Sequence, residues 1–145
     1  MSGKYLIFGA TGSIGSNLAK LMASKNQDVQ LIGRDENGLN SLSSELGCKY
    51  NVVDVLDEQS IKNLKNEFEG QDISGIAYCV GSIDLKPVRA VKKDDLMKCF
   101  DLNFFPIFET IKNFQDNLKK NELSGSLDDL LTKHNNNKVP YISVH

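Results

Sequence analysis

Residues 4–15 read KYLIFGATGSIG, a short apolar run followed at once by a turn that holds three glycines. Beyond the turn, Ile14, Leu18, Leu21 and Met22 recur at the spacing of one face of a helix. The first N–H groups of a helix have no partner within it, and the helix dipole favours negative charge there. We therefore expect a phosphate site at this turn, although three glycines in a turn also fit a purely structural role.

Strands and helices alternate through the first half of the chain. We predict strands at 4–8, 28–32, 49–53 and 76–80, and helices at 14–25, 36–46 and 58–69. Such alternation is typical of an α/β protein with a parallel sheet, and short, mostly apolar strands fit a sheet covered on both faces. The predicted fold is a three-layer, Rossmann-like α/β fold, in which residues 1–120 form a dinucleotide-binding domain.

A long helical segment is predicted from residue 94 to about residue 120. Phe104, Phe108 and Ile111 keep helical spacing along it, which usually marks a core face and sometimes a seam with a partner helix. Pro106 lies inside this segment, where it removes one backbone N–H and clashes with the preceding turn. We therefore expect a kink next to Asn103.

The pattern changes after residue 120. Residues 121–145 are predicted to form an atypical tail with a capping box at 126–129, a polar loop at 134–137 and a strand at 139–144. Pro140 would confine that strand to a sheet edge or stand at its start. We interpret the abrupt change as a fold whose C-terminal part is missing, through truncation or an altered reading frame.

The amino-acid composition excludes several classes of protein. The chain has 145 residues, a formal net charge of −2 and a hydrophobic content of 40%, which fits one packed domain and argues against a nucleic-acid binder. Its three cysteines form no C-x-x-C pair and its two histidines stand apart, so we expect neither a disulfide framework nor a metal site. Its apolar runs are too short for a membrane span. We expect a cytoplasmic protein without a membrane partner.

Each residue of the glycine turn has an expected role. In a dinucleotide-binding turn, Gly9 would serve the tight bend, Gly12 the close approach to a pyrophosphate, and Gly15 the packing of helix on strand. Thr11 and Ser13 offer hydroxyl groups to phosphate or ribose. The alternative is that these two hydroxyls only cap the turn.

Arg34 stands at the end of the second predicted strand, about 20 residues beyond the glycine turn, where an acid would bind the adenosine ribose of NAD. Gly33 occupies the position of that acid, and a guanidinium next to it suits a 2′-phosphate. This arrangement favours NADP over NAD. The alternative is a surface arginine paired with Asp35 or Glu36.

Further candidates follow the third and fourth predicted strands. Asp54 and Val55 lie at the carboxyl edge of the sheet, where a short acid could accept the adenine amino group. Asp54 could equally form an Asx turn or cap the next helix. Gly81 would let the backbone approach a flat ligand, or it is a plain turn glycine.

In this order, the glycine turn, Arg34, Asp54-Val55, Val80-Gly81 and Asn103 resemble the short-chain dehydrogenase/reductase family over roughly residues 5–120. The resemblance implies an oxidoreductase that binds NAD(P). It implies that the pyrophosphate lies on Gly9, Thr11, Gly12, Ser13, Ile14 and Gly15.

The resemblance also implies roles for the remaining candidates. Arg34 would select NADP, Asp54 and Val55 would hold adenine, and Cys79, Val80 and Gly81 would lie beside the adenine ribose. Asn103 matches the family's active-site asparagine, which helps to hold the proton-relay water.

The chain also departs from the family pattern. Its glycines are spaced three and three, where many single-domain members have four and two, and Cys79 replaces the usual asparagine. The family's acid/base pair is Tyr-x-x-x-Lys, but the residues four places after the four tyrosines are Gly9, Asp54, Ser82 and His145. The general acid needed for carbonyl reduction is therefore missing. Ser143 could be the family's catalytic serine, although a structural serine fits better.

Two interpretations follow. The first is the cofactor-binding part of an NADP-dependent oxidoreductase for a carbonyl or alcohol, inactive as this chain alone. The second is a non-catalytic NAD(P)-binding or subunit-pairing module. In either case we expect a homo-oligomer or pairing with a full-length subunit, because the phenylalanine stripe would favour association, as would the edge of the fourth strand unless the C-terminal segment covers it.

Overall fold

The computed structural model describes residues 3–82, 84–118 and, for the backbone alone, 141–143. Within these residues the strands are β1 (Lys4–Phe8), β2 (Val29–Gly33), β3 (Lys49–Val52), β4 (Ile73–Tyr78) and β5 (Tyr141–Ser143). The helices are α1 (Ser13–Ser24), α2 (Glu36–Leu46), α3 (Glu58–Glu67), α4 (Lys93–Asn103) and α5 (Phe105–Phe114), with a 3-10 turn at Val88–Ala90.

The described strands form one parallel sheet in the order β3-β2-β1-β4-β5. β1 is central, because Ile7 lies opposite Leu31 of β2 on one side and Ala77 of β4 on the other. The chain builds outward from β1 to β3 and then returns to the other side of β1, so the strand order reverses between β1 and β4. The carboxyl ends of these two strands border the crevice in which open α/β sheets bind ligands. The predicted Rossmann-like α/β fold is confirmed.

Helices cover both faces of the sheet. Phe8 packs with Ile61 of α3 and Phe114 of α5 on one face, and Ile7 packs with Leu39 of α2 on the other. Alternate residues of β1 therefore enter opposite layers of the core. Each such fully buried apolar side chain contributes about 1.5–3 kcal/mol relative to exposure. This packing holds the end of β1, and with it the glycine turn, in a fixed position.

The fourth strand begins earlier than predicted. Ser74-Gly75 interrupts the apolar pattern, yet β4 starts at Ile73 and ends at Tyr78, not at residue 80. Lys4 lies opposite Ile73 whereas Tyr5 lies opposite Gly75, so a shift of register accommodates Ser74 as an extra residue.

The kink predicted next to Asn103 is confirmed. α4 ends at Asn103, Phe104 leaves helical geometry with φ −122° and ψ −59°, and α5 begins at Phe105. Pro106 lies in the first turn of α5. The N–H groups of a first turn have no partner within the helix, so a proline there costs no helical hydrogen bond.

The helix does not continue to residue 120 as predicted. α5 ends at Phe114, and Asn117 is buried against the connection between α3 and β4. Its Nδ2 donates to the carbonyls of Phe68 and Gln71, at 2.6 and 2.9 Å, and its own carbonyl accepts from the Ile73 N–H at 2.7 Å. The Phe114 carbonyl still accepts from the N–H groups of Asn117 and Leu118, each at 3.0 Å, so one further turn carries Asn117 against this distant loop.

The predicted tail strand corresponds to β5, where Tyr141 lies opposite Ile76 of β4 at the end of the described strand order. The predicted capping box at 126–129 and loop at 134–137 lie outside the described residues. The division of the chain at residue 120 stays a prediction. Within 3–82 and 84–118, no helix combines the length and apolarity that crossing a membrane requires.

Candidate functional site

The glycine turn lies where the strand order reverses, between the end of β1 and the start of α1. Gly9 has a φ of +74°, and a Cβ there would lie 2.7 Å from the carbonyl oxygen of Cys79. The N–H groups of Gly9 and Ala10 both donate to the carbonyl of Ile32, at 2.8 and 3.1 Å. A Cβ on the buried Gly15 would overlap the Gly9 carbonyl. Glycine at both positions therefore allows α1 and β4 to lie directly against the turn.

The start of α1 differs from the starts of the next two helices. Gly12 is its N-cap, supplies no capping side chain, and is followed by a first turn without acidic residues. α2 and α3 are capped by the carboxylates of Asp35 and Asp57, and each has a glutamate in its first turn. Within the described structure, the backbone N–H groups of residues 13–15 have no acceptor. The partial positive charge at this helix end is therefore uncompensated, which suits an anion.

A cavity of about 250 Å³ opens beside the start of α1. It brings together the glycine turn, the end of β2 and the residues that follow β3 and β4. The predicted cofactor residues among its lining are Gly9, Thr11, Gly12, Arg34, Val55, Cys79, Val80 and Gly81. Ser13, Gly15 and Asp54 lie outside this lining, and Ile14 lines a second cavity described below.

Arg34 is exposed at the rim of this cavity and forms no ion pair with any residue that the structure describes. The carboxylate of Asp35 accepts from the Gly38 N–H at 3.1 Å, as the cap of α2. The alternative pairing of Arg34 with Asp35 or Glu36 is therefore not formed. A guanidinium without a partner, close to an open helix start, is available to a second anionic group.

Asp54 adopts the turn that its sequence allowed. Its Oδ1 accepts from the Leu56 N–H at 3.0 Å, and its own N–H donates to the Ser60 hydroxyl at 3.3 Å. Val55 is buried and lines the cavity, whereas Asp54 lies outside the cavity lining. The contact of Asp54 with adenine stays a prediction.

Cys79 occupies the position of the family's asparagine. Its N–H donates to the Phe8 carbonyl at 2.9 Å, which continues the β1–β4 pairing by one residue. Burial raises the pKa of the Cys79 thiol above its ordinary value, and the side chain packs against the core cluster that contains Ile7 and Leu39.

Asn103, at the end of α4, holds the segment that follows β4. Its Oδ1 accepts from the Ser82 N–H at 2.9 Å, and its Nδ2 donates to the carbonyls of Ser82 and Cys99, at 3.0 and 2.9 Å. A Cβ on Gly81 would lie 3.0 Å from this Oδ1, so the loop and α4 are in close contact. The side-chain amide of Asn103 thus holds the backbone of Ser82 against α4. The water-holding role that the resemblance implies for Asn103 stays a prediction.

A second cavity, of about 770 Å³, shares Cys79 and Gly81 with the first. Apolar side chains of α1, of α4 and of the residues that flank α4 supply much of its wall. They include Ile14, Val91, Leu96, Phe100 and Phe104. The two cavities therefore adjoin through the segment after β4, one beside an open helix start and one against an aromatic surface.

The second cavity contains a charged cluster that was not singled out from the sequence. Lys86 Nζ lies 2.9 Å from an Asp84 carboxylate oxygen and 2.7 Å from one of Asp95. The bond to Asp95, and then that to Asp84, raises the pKa of Lys86 to about 12, and Lys86 in turn lowers the pKa of Asp95. Lys86 lies in the segment between β4 and the 3-10 turn, and Asp95 lies in the first turn of α4, so no local pattern marks them as partners.

Tyr78 is not a suitable acid/base group. It is buried between β4 and its covering helices, its hydroxyl has no partner among the described residues, and burial raises its pKa. A phenol with a raised pKa does not exchange protons readily near neutral pH. In the described part of the chain, no three His, Cys, Asp or Glu side chains gather as a metal site requires.

Comparison with known families agrees with this architecture. The family model described as short chain dehydrogenase matches residues 4–127, most of the chain. The chain therefore belongs to the short-chain dehydrogenase family. A search among curated proteins finds no match.

Solved structures show the same fold. A short-chain type dehydrogenase/reductase from Mycobacterium ulcerans is 20% identical, with a TM-score of 0.72 over 81% of this chain and 48% of that one. A glucose/ribitol dehydrogenase-type member from Brucella melitensis is 20% identical, with a TM-score of 0.74 over 81% and 52%. An alcohol dehydrogenase from Thermococcus sibiricus, complexed with 5-hydroxy-NADP, is 21% identical, with a TM-score of 0.71 over 83% and 55%. The chain thus spans about half the length of these relatives.

Proposed function

We propose that this chain binds NADP in the cavity beside α1 and is the cofactor-binding part of an NADP-dependent oxidoreductase for a carbonyl or alcohol. The observation that carries the proposal is that an uncapped helix start and Arg34, which has no ion pair with any described residue, border one cavity of about 250 Å³. These two features suit the two separate anionic groups of NADP, its pyrophosphate and its 2′-phosphate.

Other residues of the cavity lining, and the residues next to it in the chain, fit the rest of the nucleotide. The N–H groups of residues 13–15 would hold the pyrophosphate, with the hydroxyls of Thr11 and Ser13 beside it. Val55 offers an apolar surface to adenine, with Asp54 as acceptor of its amino group, and residues 79–81 lie beside the ribose. The nicotinamide supplies hydride exchange when it is bound. NAD, which lacks the 2′-phosphate, would leave Arg34 without a ligand.

Titration of NADPH and NADH against the pure protein tests the proposal, with nicotinamide fluorescence or calorimetry as the readout. We expect NADPH to bind at least about 10-fold more tightly than NADH, since charge-assisted hydrogen bonds to Arg34 are worth about 1.5–3 kcal/mol. Arg34→Ala should abolish this preference by weakening NADPH alone. The matched control is Arg89→Ala, because Arg89 is an exposed arginine outside the cavity lining.

Two results would contradict the proposal. One is equal affinity of the unaltered protein for the two nucleotides. The other is a loss of NADPH affinity in Arg89→Ala as large as that in Arg34→Ala, because such a loss would reflect general charge and not a specific site.

A non-catalytic module is the second candidate function. It is favoured by the absence of any Tyr-x-x-x-Lys pair from the 145 residues and by the burial of Tyr78. On this interpretation the chain holds the nucleotide, or pairs with a full-length subunit, without reducing a carbonyl. The chain alone is expected to be inactive on both interpretations, because neither supplies a general acid.

The surface of α4 and α5 supports a proposal about partners. Phe104, Phe108 and Ile111 keep the predicted stripe, and Phe108 is 63% exposed. We infer that this face pairs with a second copy of the chain or with a full-length subunit. A cytoplasmic location is proposed with it, because the three free cysteines suit a reducing compartment.

A further inference from the structure

The cavity of about 770 Å³ has a different chemical character from the nucleotide cleft that it adjoins. Its size lies within the range of small-molecule sites, about 300–1,000 Å³. Cys79 and Gly81 line both cavities, so a ligand in one would lie close to a ligand in the other. The larger cavity is therefore in the right place to hold the molecule on which a bound nucleotide would act.

The charges of this cavity do not favour an anion. Lys86 is the only cation among its described lining residues, and both Asp84 and Asp95 pair with it. The three side chains together carry a net negative charge, since two carboxylates face one ammonium group. Arg34 lines the smaller cavity and not this one. An anionic ligand would thus meet repulsion here and attraction in the neighbouring cleft.

The wall of the cavity suits a flat ring. Phe100 of α4 and Phe104, the residue that follows α4, are 52% and 47% exposed, and their rings meet edge to face with centroids 6.1 Å apart. Ile14, half exposed at the start of α1, also lines the cavity. Aromatic rings gain about 0.5–1.5 kcal/mol from offset or edge-to-face contact, beyond the burial of their area.

The polar groups of the cavity are largely engaged. The Asn103 amide bonds to the backbone of Ser82 and Cys99, and Lys86 bonds to its two carboxylates. A strongly polar ligand, such as a sugar, would lose its bonds to water and find few replacements. Recognition in this cavity must depend mainly on apolar area.

We propose that the second cavity binds an uncharged, ring-containing apolar molecule. This inference rests on the proposed function for its meaning, since only a bound nucleotide makes such a ligand a substrate. It narrows the carbonyl or alcohol substrate to one with an aromatic or alicyclic body and no negative charge.

The test uses two fluorescent probes that share one ring system. N-phenylnaphthylamine is neutral, and anilinonaphthalene sulfonate adds one negative charge to the same rings. Each is titrated into the full chain without nucleotide, and NADPH affinity is measured separately on every variant. Phe100→Ala removes part of the cavity wall. Phe108→Ala is the matched control, because Phe108 is an exposed phenylalanine of the neighbouring helix that does not line the cavity.

We expect saturable binding of the neutral probe, about 10-fold tighter than that of the sulfonate, corresponding to about 1.4 kcal/mol. Phe100→Ala should lower the affinity for the neutral probe at least about threefold, with NADPH affinity unchanged. Phe108→Ala should leave the affinity for the neutral probe unchanged. Equal affinity for both probes, or an equal loss in both variants, overturns the inference. Loss of NADPH binding with intact probe binding would overturn the proposed function instead.

Discussion

At the scale of single residues, the start of α1 is distinguished by Gly12, which has no side chain to cap the helix. Asp35 and Asp57 cap the next two helices, whereas Gly12 leaves the first helix uncapped. An aspartate would suit the extended backbone of Gly12, with its φ of −72° and ψ of 166°. The glycine is therefore less favourable for the helix than a capping residue, and it leaves the N–H groups available to a ligand.

This contrast predicts that Gly12→Asp separates folding from binding. The new carboxylate can cap the helix as Asp35 does, so the free energy of unfolding should change by less than about 1 kcal/mol. The same carboxylate repels a pyrophosphate, so NADPH affinity should fall at least about 10-fold. Urea unfolding and nucleotide titration measure the two effects.

Gly12→Asn is the control for this experiment, because its side chain has nearly the same size without the charge. A Cβ at this position would lie 3.3 Å from the Gly9 carbonyl oxygen, so both variants meet the same small steric cost. The asparagine variant should lose less affinity than the aspartate variant. Unchanged NADPH binding by Gly12→Asp would show that no phosphate lies at this helix start.

At the scale of elements, the local sequence pattern predicted where helices form better than it predicted where they end, because some ends depend on contacts with distant residues. The helix predicted at about residues 36–46 is confirmed as α2, Glu36–Leu46, with Asp35 as its N-cap and Gly47 ending it in left-handed geometry. The end of α5 was not predicted. Asn117 leaves the helix to bond with Phe68 and Gln71, which are distant in sequence, so no window around Asn117 contains the cause.

Asn117→Ala is predicted to destabilise the fold by about 2 kcal/mol, because the Phe68 carbonyl, in a buried bond, and the Gln71 carbonyl, in a partly buried one, lose their donor. The matched control is Asn113→Ala, since the Nδ2 of Asn113 donates only to the Glu109 carbonyl of its own helix. Asn113→Ala should lower the free energy of unfolding by less than about 1 kcal/mol. Equilibrium urea unfolding measures both, and equal costs would mean that the bonds of Asn117 to the α3–β4 connection add no stability.

At the scale of the whole molecule, the fold and the gathering of the site residues followed from sequence because both depend on strand order. Residues that follow parallel strands meet at one edge of the sheet, which is why the glycine turn, Arg34 and residues 79–81 meet at one cavity. The second cavity was not foreseen. Its wall combines Ile14 of α1 with Phe100 of α4, which lie far apart in the sequence, so no local pattern marks them as neighbours.

The phenylalanine stripe also needed the structure for its interpretation. Helical spacing alone could not distinguish a core face from a seam, and the structure divides the segment. Phe114 is fully buried in the core, whereas Phe104 and Phe108 are exposed. The exposed part forms a connected cluster, with the rings of Phe104 and Phe108 5.5 Å apart.

We predict that the protein associates through this exposed face. Phe108→Glu places a charge at its centre and should give a monomer at concentrations where the unaltered protein is a dimer or larger. Leu21→Glu is the control, since Leu21 is an exposed apolar residue of α1, outside the face. Light scattering coupled to size-exclusion chromatography measures the mass. An unaltered protein that stays monomeric at high concentration contradicts the prediction, as does equal dissociation by both variants.

The central position of β1 has a consequence for synthesis on the ribosome. Ile7 pairs with Leu31 on one side but with Ala77 on the other. Among the described strands, β1 is translated first, yet its second edge is paired only after β2, β3 and β4 have followed. At roughly 5–20 residues per second, several seconds separate its emergence from that of its second neighbour. During that interval a nascent chain presents an unpaired, strongly apolar edge, which is a surface that ribosome-associated chaperones could bind.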